Sequence, residues 1–164
     1  MQLKTQGYYR QVAEEALAGA GVTEPPVPVN HIIESLGIPI LPVSLPLFFI
    51  AATVNTDGLP IMVVNYSQPE PVRLEALAHM LSHMLLLLND SSIGFPRDAG
   101  SHEDADLLAH ELTMPSTMVI EQSRLWFNDF RYLARLFGVG EAAMLERMRE
   151  LGIINNQQGI RWDY

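Results

Sequence analysis

From Val72 to Asn89 the chain contains no glycine and no proline, and leucine is dense. Nothing local interrupts a helix there, and leucine favours one, so the stretch predicts a long, buried, central helix. The rest of the chain must then pack around it. His79 and His83 stand four residues apart within this helix. At that spacing two side chains share one face, about 5–6 Å apart at Cβ. Both imidazoles can then reach one zinc ion at about 2.0–2.1 Å. Spacing alone does not separate a metal pair from two helix histidines making ordinary hydrogen bonds.

The flanking segments organise around that helix. Residues 6–19 read as an amphipathic helix ending near Gly19 and Gly21. Glu24–Val29 (EPPVPV) is an extended connector, because each proline disfavours helix in the residue before it. Asn30 is a candidate cap for a short helix that stops at Gly37. Strand material follows at 38–43, 47–54 and 61–64. Asn55–Gly58 lies between the last two runs, and an Asp-Gly pair there predicts a hairpin turn with positive φ at both central residues. The middle of the chain therefore predicts a small, mostly antiparallel sheet, which Gln68-Pro69-Glu70-Pro71 ends.

After the central helix comes a loop at 89–101. A second helix over 102–112 has an acidic first turn and is ended by Met114-Pro115. The remainder reads as helices at 116–121, 127–137 and 141–151, with a glycine turn at 138–140 and a last extended piece around Ile160 and Trp162. The fold class expected is α+β, with the small sheet packed on the central helix and a helical hairpin at the C-terminal end.

Composition removes several function classes. The chain has no cysteine, which excludes disulfides and thiolate metal sites and suits a reducing cytoplasm. Any metal must be held by His, Asp or Glu. Residues 35–56 carry no charge, but Pro39, Pro42 and Pro46 interrupt them. Buried strands explain that run better than a membrane helix. The first residues lack an apolar signal core, so a soluble, cytoplasmic protein is expected. Residues 1–123 carry 4 basic and 14 acidic groups, whereas 124–164 carry 6 arginines and 5 acids. An acidic main body repels phosphate backbones, which argues against nucleic-acid binding there.

A peptidase helix of the form HExxH places a glutamate directly after the first histidine. That glutamate takes a proton from the attacking water and returns it to the leaving amine. Here the pentapeptide is His79-Met80-Leu81-Ser82-His83. Both ligand positions are intact, but Met80 cannot accept or return a proton. A third ligand from a second helix is available in the run His102-Glu103-Asp104-Ala105-Asp106. That run reads equally as an acidic helix start, favourable against the helix dipole.

In order and spacing, four segments resemble the ImmA/IrrE family of zinc-dependent metallopeptidases. They are PPVPVNHIIESLGIPI at 25–40, RLEALAHMLSHMLLL at 73–87, HEDADLLAHELTMP at 102–115 and LARLFGVGEAAMLERMRELGII at 133–154. The resemblance covers nearly the whole chain. It implies a zincin- or gluzincin-like domain over 1–123, with a C-terminal helical region at 124–164 packed on it as one unit. It also implies a bacterial or phage protein that works beside a helix-turn-helix repressor, which active members cleave.

Carried over position by position, the resemblance makes His79 and His83 zinc ligands and Asp104 the third. Glu103 or His102 substitute if the helix is rotated. Met80 stands at the catalytic glutamate, and Ser82 replaces a small glycine. Asp104 is one methylene shorter than the family's glutamate. These departures imply a zinc site that is weak or empty, in a pseudo-peptidase acting by protein contact on a repressor-type partner.

One alternative is an active zinc endopeptidase whose base is relocated to Glu75, Glu103, Glu111 or His110. Another is a helix-turn-helix nucleic-acid module at Leu133–Leu151. Glu141, Glu146 and Glu150 on its second helix make a poor match for phosphate.

Overall fold

A computed structural model describes residues 5–90 and 102–155. The leucine-dense stretch forms the 21-residue helix α3 (Glu70–Asp90); the other helices of the described residues are α1 (Gln6–Gly19), α2 (Val29–Ser35), α4 (His102–Thr113), α5 (Ser116–Leu125), α6 (Phe130–Phe137) and α7 (Glu141–Glu150). Strands β1 (Ile40–Val43), β2 (Ala51–Thr56) and β3 (Leu59–Asn65) form one sheet. The architecture is α+β, as the sequence predicts. The expected loop at 89–101 lies largely outside the described residues, and the piece around Ile160 and Trp162 lies wholly outside them.

One face of α3 supplies Leu77, Ala78, Leu81, Leu85 and Leu86 to the main core. Full burial of each leucine contributes about 1.5–3 kcal/mol. Against this face pack the inner residues of the sheet, chiefly Met62 and Val64, with Ile32 and Ile33 of α2. Helix α1 adds Tyr9, Val12, Ala13 and Leu17, a helical stripe whose neighbour is α4. Asn30 lies inside α2 rather than capping it. Pro28 holds the N-cap position, and its carbonyl accepts the amide of Ile32 at 3.1 Å.

The sheet is mixed where a mostly antiparallel one is expected. Strand order is β1-β3-β2, with β1 parallel and β2 antiparallel to β3. The link 44–50 passes the end of β3 to carry β2 to the far edge, and the hairpin returns between them. Asp57 and Gly58 turn that hairpin with φ of 52° and 84°, as the sequence predicts.

A buried amide holds the link in place. Asn65 is fully buried; its Oδ1 accepts the amides of Leu45 and Ser67, each at 3.0 Å. Its Nδ2 donates to the carbonyls of Leu45, Pro46 and Phe49. Gln68 Nε2 donates to those of Leu47 and Phe49. These bonds engage the carbonyls of Leu47 and Phe49 with side chains, and β2 begins at Ala51 and not at Leu47.

The C-terminal helices close a second cluster of Met114, Val119, Leu133, Ala134, Phe137, Met144 and Met148. Helix α6 begins at Phe130, later than the sequence predicts. Asp129 caps it by accepting the amides of Arg131 and Tyr132, each at 3.1 Å, after a turn with positive φ at Phe127 and Asn128. Arg147 joins this cluster to α4. Its guanidinium lies 2.7 Å from Glu111 Oε1 and donates to Ser116 Oγ and the Met114 carbonyl. Among the described residues no helix is long and apolar enough to cross a membrane.

Candidate metal centre

Helix α3 places His79 and His83 on successive turns of one face, and α4 begins with His102 directly opposite. The Nε2 atoms of His79 and His83 are 3.1 Å apart, and His79 Nε2 lies 3.2 Å from His102 Nδ1. One ligand atom from each of the three falls within 4.8 Å of the others. Tetrahedral zinc at about 2.0–2.1 Å from each nitrogen separates its ligand atoms by about 3.3 Å. The two short contacts are close to that spacing, and three neutral imidazoles are a donor set that zinc accepts. The residues therefore fit such an ion.

His79 is oriented from behind. Its Nδ1 lies 2.8 Å from Asp106 Oδ1, so with hydrogen on Nδ1 the lone pair of Nε2 is directed into the cluster. His102 and Asp106 are four residues apart on α4, as His79 and His83 are on α3. Two such pairs facing each other build the site. That second pair was present in the sequence, but the orienting role of Asp106 needed the packing of α4 on α3.

The other candidates lie elsewhere. Asp104 turns toward α1, where its Oδ1 accepts the hydroxyl of Tyr9. Burial first, and then this hydrogen bond to Asp104, push the Tyr9 hydroxyl pKa well above the usual phenol range. Glu103 is exposed on the first turn of α4. Glu111 is buried and committed to Arg147 and Ser116, away from the cluster. Ser82 is buried and donates to the Ala78 carbonyl at 2.7 Å.

A cleft of about 350 Å³ opens beside His79. Helix α3 contributes Val72, Glu75, Ala76, His79 and Met80, α4 contributes Asp106, Ala109 and His110, and the sheet edge adds Ile50 and Ala51. Met80 is half-buried and also packs on the main core. The wall next to the first histidine is therefore a thioether. Glu75 and His110 are the relocated-base candidates that border this cleft.

A two-histidine helix, faced by a ligand-bearing second helix and flanked by a small sheet, defines a metallopeptidase-like domain. The profile of the IrrE N-terminal-like domain, peptidase family M78, matches residues 33–149, and the chain belongs to that family. Zinc is the metal of this family. Among solved structures, a Mycobacterium tuberculosis transcriptional regulator is similar at a TM-score of 0.64 and 15% identity. The alignment covers 86% of this chain and 46% of the regulator, so this chain spans about half its length. At that identity the likeness is one of fold. No curated protein matches significantly.

Proposed function

We propose that this chain is a metallopeptidase-like regulatory protein that holds zinc on His79, His83 and His102 and grips a polypeptide partner without cutting it. The observation that carries the reading is Met80 in the cleft wall beside His79. Zinc held by the three imidazoles would supply a Lewis acid beside that cleft, which His79 lines. Peptide hydrolysis also needs a group that shuttles a proton at the same place, and a general base is worth about 10²–10⁴ in rate. Methionine offers none. What remains is an apolar-walled groove that suits an extended segment of another protein. The resemblance to repressor-cleaving peptidases and the fold likeness to a transcriptional regulator support a repressor-type partner.

A second reading has one specific support: Glu75 and His110, side chains of a type able to accept and return a proton, border the same cleft. On that reading the chain is an active zinc endopeptidase with its base moved.

Zinc content of the purified, untagged protein and of His79→Ala tests the metal, and hydrolysis of an unstructured protein such as casein tests the chemistry. Stoichiometric zinc that is lost in the variant, with no cleavage by wild type, is the expected result. Metal-dependent cleavage by wild type that Glu75→Gln or His110→Ala abolishes would favour the second reading. Absence of zinc would sink the metal reading.

A further inference from the structure

We infer that Tyr9 is a positioning residue for the metal centre: its hydroxyl holds the first turn of α4, and through that turn it holds the His102 imidazole. The inference rests on the reading of His79, His83 and His102 as a zinc site. His102 is the first residue of α4 and is exposed. First-turn amides have no carbonyl behind them in the helix, so helix starts fray unless something outside the helix ties them down. A ligand in that place is only as well placed as its anchor.

Besides the His79–His102 contact of the cluster itself, side-chain hydrogen bonds of Asp104 and Asp106 tie the start of α4 to the rest of the protein. Asp106 meets His79, but its side chain is 63% exposed and water competes for it. Asp104 meets Tyr9, whose residue is only 3% exposed, in a bond that spans 95 positions of sequence. A hydroxyl bonded to a carboxylate is stronger than a neutral pair, and shielding from water strengthens it further.

Tyr9 is itself rigid. Its ring packs in the main core with Val12, Ala13 and Leu17 of the same helix, and edge-on against Tyr8 at 5.5 Å between ring centroids. Phenylalanine would fill that space as well. The hydroxyl adds one thing, a fixed hold on Asp104, two residues from His102. Asp104 is then an anchor of the centre.

A purely structural Tyr9 and a positioning Tyr9 make different predictions. The full chain is prepared as wild type, Tyr9→Phe, His102→Ala and the double variant. Zinc affinity is measured by competition with a chromophoric chelator, and the melting temperature of each metal-free protein is recorded. Tyr9→Phe is expected to weaken zinc about tenfold, the lower end of what loss of an outer-shell partner costs. Its metal-free melting temperature should stay within a few degrees of wild type. In the His102→Ala background the same substitution should change affinity by less than about twofold, because the residue it positions is gone.

Asp104→Asn, on a half-buried side chain, gives a smaller loss of about threefold with the same dependence on His102. It carries the test should Tyr9→Phe fail to fold. Equal zinc affinity in wild type and both variants overturns the inference. So does a loss that persists undiminished without His102. A wild-type protein that takes up no zinc overturns the metal reading itself, and the inference with it.

Discussion

His79 Nδ1 and Asp106 Oδ1 lie 2.8 Å apart, so α4 orients the first histidine of α3 while His102, one turn earlier on α4, faces that histidine's other nitrogen. The carboxylate fixes which nitrogen is free to bind a metal. Removing it leaves the ring able to turn and to exchange tautomers. Asp106→Ala is therefore expected to weaken zinc binding about tenfold. The side chain is largely exposed, so thermal stability of the metal-free protein should hardly move. Isothermal titration with zinc and a melting curve check both halves; unchanged affinity would remove Asp106 from the centre.

Met80 is the side chain whose replacement should add chemistry. Met80→Glu puts a carboxylate directly after His79, at a point of the cleft wall that a thioether now occupies. With zinc present, hydrolysis of casein is expected to rise above wild type, by up to about 10²–10⁴ if the geometry is well placed. Zinc removal by a chelator should abolish the gain. A zinc-loaded variant that gains nothing would show that Met80 is not what limits hydrolysis.

Arg147 and Glu111, which do not line the cleft, predict a large effect on stability. Their side chains are only 7% and 8% exposed and meet at 2.7 Å. Arg147→Met strands the Glu111 carboxylate in a buried place, and breaking such a pair from one side costs about 3–5 kcal/mol. Urea unfolding should register that loss. The double change Arg147→Met with Glu111→Leu should recover much of it, since no unpaired charge is left.

Tyr9 sets a dependence on high pH. Its folded-state pKa is raised by burial and by Asp104, whereas an unfolded tyrosine titrates near its ordinary value of 10.0. Above that value the unfolded chain releases a proton that the folded chain keeps, so stability falls as pH rises. Below about 10 the contribution is fully present. Urea midpoints between pH 9 and pH 11 should decline in wild type more steeply than in Tyr9→Phe. Parallel slopes would show that Tyr9 ionises alike in both states.

Much of the molecule was legible in residue order because it depends on local physics. The helix around His79 and His83 follows from an unbroken leucine-rich run, and the Asp57-Gly58 turn from two residues that tolerate positive φ. Met80, directly after the first histidine where the HExxH pattern has glutamate, could be read from residue order alone. Strand pairing was less legible. Residues 47–50 have strand composition, yet the side chains of Asn65 and Gln68, remote in sequence, take the carbonyls of Leu47 and Phe49 and make the segment a link.

The third member of the histidine cluster shows the same division. Residues 102–106 determined on their own that a ligand-rich helical turn would follow α3. Each helical step rotates a side chain by about 100°, so His102 and Asp106 share a face while Asp104 lies on nearly the opposite one. Which face meets α3 depends on how α4 is wedged between α1 and α3, a matter of packing between segments that residue order does not encode locally. Tertiary structure gave His102 to the histidines and Asp104 to Tyr9.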